Sequence, residues 1–155
     1  MEHLLPIPGR AANVEMARRL HEHFVQNDFG FWVVELPGIC PFIGFVGLQH
    51  VKFTAPFVPA VEVGWRLDSD YWGCGYATEA ARLALDDAFE RLDFQEVVAF
   101  TVPFNHRSRR VMGRLGMTRS ESDDFDHPRV PDGHPLKRHV LYRLKRSDWL
   151  KQGPS

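Results

Sequence analysis

The chain has 155 residues, 44% of them hydrophobic and 25% charged, and a formal net charge of −1 at pH 7, which predicts one soluble globular domain over residues 1–155. Its basic residues are scattered, which argues against a nucleic-acid-binding protein, and no apolar run approaches the roughly 18 residues of a membrane-spanning helix. With no secretory leader and only two cysteines, Cys40 and Cys74, the chain is expected in the cytoplasm, where cysteines stay reduced.

The first predicted element is an amphipathic helix over residues 11–27. Its apolar stripe, at helical spacing, consists of Val14, Ala17, Leu20, Phe24 and Val25. His21 and His23 lie off that stripe, so we expect both of these side chains outside the core.

Three strands are predicted next. Residues 31–36 and 42–50 form a hairpin, because Pro37-Gly38 ends the first strand. Residues 60–67 alternate between apolar and polar side chains. This alternation places Val61, Val63, Trp65 and Leu67 on one face and Glu62, Gly64 and Arg66 on the other.

The second half of the chain alternates between helices and strands. We predict helices over residues 78–91 and 105–115, the second ended by Gly116 in a left-handed conformation. Residues 97–102 form a strand whose nearly continuous apolar side chains indicate burial on both faces, and residues 139–144 form the last strand. The pattern predicts a mixed α/β sheet with helices on its faces.

A glycine-rich segment, WGCGYA at residues 72–77, separates the third strand from the following helix. The first turn of a helix offers unpaired N–H groups and a partial positive charge, and glycines let an anion approach them. The segment is not a P-loop, because no Lys-Ser/Thr pair follows, and it lacks the third glycine of a dinucleotide fingerprint. Two readings stay open on spacing alone: a phosphate-binding turn, or a tight turn only.

The stretch WGCGYATEA resembles the acyl-coenzyme A loop of the GNAT acetyltransferases, whose pattern is Arg/Gln-x-x-Gly-x-Gly/Ala, with Gly75 and Ala77 at the two small positions. Trp72 replaces the Arg/Gln, as in the RimJ/RimL-type branch, and Cys74 stands where that branch commonly has a basic residue. The resemblance implies the α/β (α+β) fold of that family, a mixed, mostly antiparallel sheet flanked by helices, and acetyl-coenzyme A as co-substrate. The residues implied to bind it here are Val63, Trp65, Trp72, Gly73, Cys74, Gly75, Tyr76, Ala77 and Thr78.

A second motif, VPFNHRSRRVMGRLGM at residues 102–117, looks like the family's Asn-x-x-Ser helix that ends in Leu-Gly-Phe/Met. The resemblance implies that Asn105, Arg107 and Ser108 line the cofactor channel. Alternatively, Asn105 only caps the helix, which asparagine does well, and both roles are compatible. Residues 124–144 resemble the loop and final strand of one GNAT subgroup, so the matches extend over roughly residues 1–149.

The reaction implied by this resemblance is transfer of an acetyl group to a primary amine by direct attack. Glu62 is the candidate base, and the alternative is a surface carboxylate paired with Arg66. The N–H donor to the thioester oxygen falls at the backbone of Val63 or a neighbour. Met112 stands where the family commonly has a tyrosine as general acid, and methionine cannot donate a proton. Ser108, a water molecule or no group at all is left for that role.

The histidines do not predict a metal site. His21 and His23 are two residues apart and do not share a helical face, and no cysteine or tight acidic cluster accompanies the histidines after residue 126. His127 or His134 could line the mouth of the substrate site, and the loop at residues 53–57 could border the acceptor. We therefore predict no metal.

The start of the chain departs from the resemblance, because the first strand and first helix of the RimJ/RimL-type branch are not found. We expect a partner subunit, such as a second copy in a homodimer, to cover the sheet edge that this leaves. Two functions follow from these residues. The leading one is an acyltransferase acting on a protein N-terminal or small-molecule amine, and the alternative is a catalytically impaired module that binds acyl-coenzyme A or a partner.

Overall fold

The computed structural model describes the backbone of residues 9–153 and the side chains of residues 15 and 17–153. The prediction about the start of the chain and the position of the Val14 side chain lie outside these residues. Within the described range, none of the helices has both the length and the apolar character needed to cross a membrane.

The described residues form helices and strands that alternate along most of the chain. In chain order they are α1 (Gly9–Asn27), β1 (Phe31–Leu36), β2 (Cys40–His50), β3 (Val61–Leu67), α2 (Tyr76–Asp86), β4 (Glu96–Thr101), α3 (His106–Arg114), β5 (Thr118–Arg119), β6 (Phe125–Asp126), β7 (Arg138–Lys145) and α4 (Arg146–Lys151). A π-helical turn, Asp87–Arg91, continues α2. The predicted helices and strands are confirmed, with bounds that differ by one to a few residues.

The seven strands form a mixed and mostly antiparallel arrangement, as predicted. The strand order is β1-β2-β3-β4-β7-β5, and β6 pairs with β7. Only β3 and β4 are parallel among the described pairs, and their register joins Glu62 to Val98. Because this ladder is so short, β3 and β4 diverge beyond Glu62.

The predicted alternation in β3 is confirmed, and it decides which side chains are available for function. Val61, Val63 and Leu67 are buried in the main core with α2, which contributes the fully buried side chains of Leu85 and Ala81. Burying side chains of this size stabilises the fold by roughly 2 kcal/mol each. Glu62 is on the other face of the sheet, opposite Gln49 of β2.

The predicted stripe of α1 is wrong at three positions, the first of which is Ala17, an exposed residue. Val25 is 70% exposed, whereas His23 is only 4% exposed. The ring of His23 is buried because both nitrogens are satisfied: Nε2 accepts from the His50 backbone N–H at 3.1 Å, so Nδ1 donates to the Phe29 carbonyl at 3.1 Å. Periodicity alone cannot identify a polar residue that is buried through such specific partners.

The sequence pattern missed the shortest elements. β5 and β6 have two residues each and α4 has six, and segments this short carry no recognisable periodicity. The end of α3 was predicted correctly, because Gly116 has a φ of 84°. Trp149 of α4 packs into the main core, where its indole N–H donates to Asp86 Oδ1 at 2.9 Å.

Candidate active site

The divergence of β3 and β4 opens a cavity of about 420 Å³ between the sheet, α2 and α3. Glu62 lies where the two strands still pair, and the glycine loop follows the other end of β3. The five residue steps from Glu62 to Leu67 correspond to about 17 Å of extended strand. The cavity therefore joins a carboxyl group to a glycine loop over a distance of that order.

Twelve of the thirteen residues predicted for the site line this cavity. The exception is Cys74, whose exposed side chain lies outside the wall and whose thiol is 3.7 Å from the Trp72 carbonyl oxygen. Val63 is 2% exposed, so what it offers to the cavity is its backbone. The predicted residues on the wall are Glu62, Val63, Trp65, Trp72, Gly73, Gly75, Tyr76, Ala77, Thr78, Asn105, Arg107 and Ser108.

The glycine loop leaves the first turn of α2 open to the cavity. Gly73 and Gly75 have φ values of 77° and 84°, and an added Cβ at either position would meet no atom within 4 Å. Gly75 is the N-cap residue and provides no side-chain hydrogen bond to the helix. The glycines therefore serve a left-handed backbone turn beside open space rather than close packing within the protein.

Thr78, in the first turn of α2, carries a polar atom without a protein partner. Its Oγ1 is buried and makes no hydrogen bond within the described structure, although Thr78 lies on the cavity wall. Leaving a buried hydroxyl unsatisfied costs free energy, and a turn of the Thr78 side chain toward the cavity would relieve that cost by exposing the hydroxyl to a ligand. The uncapped N–H groups of the first turn of α2 suit an anionic group such as a phosphate.

The side chains of Trp72 and Arg107 join the glycine loop to β3 and α3. The indole N–H of Trp72 donates to the Leu67 carbonyl at 2.9 Å, which holds the loop against the end of β3. The Arg107 guanidinium lies 4.5 Å from the centre of the Trp72 ring. This is cation–π geometry, and it connects the loop to α3.

A network of neutral hydrogen bonds crosses the cavity from β3 to α3. Asn105 caps α3, because its Oδ1 accepts from the Ser108 backbone N–H, and its Nδ2 donates to Thr101 Oγ1 and Ser108 Oγ at 3.0 and 3.2 Å. Ser108 Oγ also accepts from the indole N–H of Trp65 at 3.2 Å. Both lone pairs of this hydroxyl are used, so its proton is left to be donated.

Glu62 is the acidic residue on the cavity wall. Its side chain remains partly accessible through the cavity, but its carboxyl is surrounded by protein atoms, and burial raises the pKa to about 7. The partner that the structure shows for this carboxyl is Gln49, whose Nε2 donates to Oε1 and opposes the rise in pKa. A carboxyl with this pKa is present in both protonation states near neutral pH.

Several other residues of the cavity wall are not among those predicted for the site. Arg66, Arg110 and Arg114 bring positive charge to the wall, whereas Arg109 turns away to the Tyr142 hydroxyl and the Pro103 carbonyl. The motif assigned Arg107 of α3 to the cofactor channel, and no role was predicted for the neighbouring arginines. The remaining wall residues are Gly64, Leu67, Tyr71, Phe100, Thr101, Val111 and Met112.

The histidines after residue 126 are not among the residues of the cavity wall, and a place for His127 or His134 at the mouth of the substrate site stays a prediction. The His127 ring is 4.3 Å from Phe53 and 5.1 Å from His139, within an aromatic cluster. His134 accepts a hydrogen bond from the Leu136 N–H. Phe100 contacts this cluster and also lines the cavity. Among the described residues, no group of three or more His, Cys, Asp or Glu could hold a metal ion.

Comparison with known families identifies the class of protein. The model of the acetyltransferase (GNAT) domain matches residues 1–118, so the chain belongs to the GNAT acetyltransferase family. FsC-acetyl coenzyme A-N(2)-transacetylase of Aspergillus fumigatus is 36% identical over 134 residues, which are 82% of this chain and 55% of that protein. The chain spans 55–59% of the length of three curated relatives that it matches.

Solved structures agree with this assignment. The acetyltransferase from Agrobacterium tumefaciens is 27% identical with a TM-score of 0.67, over 88% of this chain and 72% of that one. RimJ of Mycobacterium smegmatis, solved in complex with CoA-disulfide, has a TM-score of 0.74 at 21% identity, over 100% of this chain and 73% of that one. At this identity, the likeness to RimJ establishes the common fold.

Proposed function

We propose that the protein transfers an acetyl group from acetyl-coenzyme A to a primary amine by direct attack. The observation that carries this proposal is the buried Glu62 carboxyl in a cavity that leads to the glycine loop. A donor whose phosphates bind at the loop must carry its acyl group on an arm of about 17 Å to reach Glu62. Coenzyme A supplies a reactive thioester on an extended arm of this kind.

The loop and α3 fit the anionic part of that donor. Backbone N–H groups of Gly75, Tyr76 and Ala77 offer hydrogen-bond donors at the first turn of α2, and the unsatisfied Thr78 hydroxyl would join them if its side chain turned toward the cavity. Arg107 and the other arginines on the wall add positive charge. These residues would fix the donor at one end and leave its thioester near the pairing point of β3 and β4.

Glu62 is proposed as the base that receives a proton from the incoming ammonium. A pKa of about 7 is close to that of an α-amine, about 8, so the proton transfer is nearly balanced. At neutral pH a substantial fraction of Glu62 is already the carboxylate that this role requires. The neutral amine then has the lone pair needed for attack on the thioester carbon.

Two donors are proposed for the negative charge that develops during transfer. The backbone N–H of Val63, or of a neighbour on the diverging edge of β3, would donate to the carbonyl oxygen of the thioester. The Ser108 oxygen accepts hydrogen bonds from two N–H groups, which leaves the hydroxyl proton free. The hydroxyl would donate this proton to the departing sulfur. Met112 is 2% exposed on the same wall and cannot take that role.

The acceptor is proposed to be a protein α-amine or a small-molecule amine. The protein itself is proposed to be a RimJ/RimL-like enzyme that acts in the cytoplasm. FsC-acetyl coenzyme A-N(2)-transacetylase, a relative named for acetyl transfer to nitrogen, supports the general chemistry. A catalytically impaired binding module is the alternative, and the raised pKa of Glu62 favours the enzyme.

A single domain and a homodimer are also proposed. A monomer in light scattering would contradict the homodimer.

The test is acetyl transfer by the purified protein and by its Glu62→Gln variant. Peptides with free N-termini and a panel of small amines are offered with acetyl-coenzyme A, and the free thiol and the acetylated product are both measured. We expect Glu62→Gln to lower kcat/KM at pH 7 by at least about 100-fold. The acid limb of the pH profile, with its midpoint near 7, should disappear with the carboxyl group.

The matched control is Glu35→Gln, because Glu35 is exposed on β1 and is not on the cavity wall. This variant should keep the rate and the pH profile. Unchanged turnover in Glu62→Gln would remove Glu62 as the base. No acetylated product from any amine, with acetyl-coenzyme A still bound, would favour the binding module.

A further inference from the structure

Gln49 lies opposite Glu62 and outside the cavity. β2 and β3 are antiparallel, and their register places Gln49 directly across from Glu62. Side chains at such paired positions are on the same face of a sheet with Cβ atoms about 5 Å apart. The Gln49 Nε2 donates to Glu62 Oε1, whereas Gln49 itself is absent from the wall.

We propose that Gln49 is a positioning residue for Glu62, which holds the carboxylate in its cavity-facing orientation and favours its charged form. This inference rests on the proposed function, because it gives Gln49 a role only through Glu62. An amide suits the task, since it donates an N–H to the carboxylate without adding a charge. A lysine or arginine at this position would add a positive charge, which lowers the pKa of a neighbouring carboxyl and makes the carboxylate a weaker base.

The other groups around Glu62 leave this role to Gln49. Val98 and Phe100, the β4 residues on the same face, are apolar. Arg143 of β7 is paired with Glu96 and Asp123 at 2.8 and 2.9 Å.

Arg66 lies four residues further along β3 on this face, and the rings of His127 and His139 are 6.3 and 6.2 Å from the Phe100 ring. His50 follows Gln49 in β2, and its ring is on the opposite face, 5.1 Å from Phe29. The two influences on the pKa of Glu62 that stand out are burial, which raises it, and the Gln49 hydrogen bond, which lowers it. Removing the amide should therefore leave burial unopposed.

The test compares Gln49→Leu and Gln49→Glu with the unmodified chain. The readouts are the carboxyl titration of Glu62 by carbon-13 NMR, assigned by its loss in Glu62→Gln, and the pH profile of kcat/KM. For Gln49→Leu we expect both midpoints to rise by about one pH unit. For Gln49→Glu the rise should be larger, because a second carboxyl adds repulsion between like charges.

Two controls separate positioning from a general structural effect. Gln26→Leu makes the same change at an exposed site on α1 and should leave both midpoints in place. In a Glu62→Gln background, Gln49→Leu should have no further effect on the pH profile. If acetyl transfer is observed but both midpoints are unchanged in both Gln49 variants, the inference about Gln49 is overturned. If the unmodified chain shows no acetyl transfer, the proposed function is overturned instead.

Discussion

Burial gives a single carboxyl its proposed catalytic property. Glu62 is surrounded by protein atoms on a strand whose paired neighbour in β4 is Val98, and an apolar neighbour offers no compensation for a charge. The pKa rises to about 7 because the charged form has lost water. The alternation of β3 predicted which face Glu62 occupies, but the only partner considered for it, in the alternative of a surface carboxylate, was Arg66, whereas the structure shows a hydrogen bond from Gln49.

Gln49 could not have been identified from the sequence because its pairing depends on register. β2 and β3 are joined by residues 51–60, and a connection of that length does not fix the register as a tight hairpin turn does. Ser108 was predicted from its motif, but not the indole of Trp65 that donates to it. Such contacts between side chains distant in sequence follow only from the assembled sheet.

Replacing Ser108 tests its proposed role as a proton donor. We expect Ser108→Ala to lower kcat by about 100-fold, because the departing sulfur loses the donated proton. The KM for acetyl-coenzyme A should change less, since the loop and its N–H groups remain. Steady-state kinetics measure both constants, and Ser122→Ala, at an exposed hydroxyl outside the cavity wall, is the control. A kcat within about twofold of the unmodified chain would exclude this role for Ser108.

At the scale of elements, a contact between a cation and an aromatic ring joins the glycine loop to α3. Each element carries its own sequence motif, so both were predicted with the correct type and order. Their contact was not, because the stacking of Arg107 on Trp72 links positions 35 residues apart and no periodicity reports it. The same limit explains why Arg110 and Arg109, adjacent on α3, could not be sorted into wall and non-wall residues.

The stacked pair is predicted to hold the loop in its binding conformation. Trp72→Leu and Arg107→Ala should each raise the KM for acetyl-coenzyme A by about threefold to tenfold, because a cation–π contact contributes roughly 0.5–1 kcal/mol and the loop also loses order. The double variant should be less impaired than the product of the two single effects. Arg19→Ala, on the exposed surface of α1, is the matched control. Fully multiplicative effects would mean that the two residues act independently.

At the scale of the whole molecule, the cost of keeping Glu62 buried should appear in the stability of the fold. Its pKa is about 7 in the folded protein and near 4.5 in the unfolded chain. Between these pH values the folded state therefore binds more protons than the unfolded chain. The stabilisation that the protonated Glu62 carboxyl contributes to the fold is complete below about pH 4.5 and is lost as the pH rises through 7. His127, with a pKa lowered from 6.5 to about 4 mainly by burial, makes stability rise with pH over that interval.

Urea unfolding at pH 5 and pH 8 separates these opposing contributions when the Glu62→Gln variant is compared with the unmodified chain. The stability of the unmodified chain relative to the variant should fall between these pH values by up to about 3 kcal/mol, since one pKa unit corresponds to about 1.4 kcal/mol. His127 is present in both proteins and cancels. An equal difference at pH 5 and pH 8 would contradict a raised pKa for Glu62.

Binding of acetyl-coenzyme A, measured by titration calorimetry, tests the central claim most directly. The unmodified chain should bind, and Gly75→Glu should abolish binding, because a carboxylate would occupy the space offered to the phosphates. Gly133→Glu is a matched control, because Gly133 has a φ of 80° and equally open surroundings but lies outside the cavity wall. The predicted result is that the unmodified chain and Gly133→Glu bind acetyl-coenzyme A and that Gly75→Glu does not. Failure of the unmodified chain to bind, or equal binding by Gly75→Glu, would contradict the account.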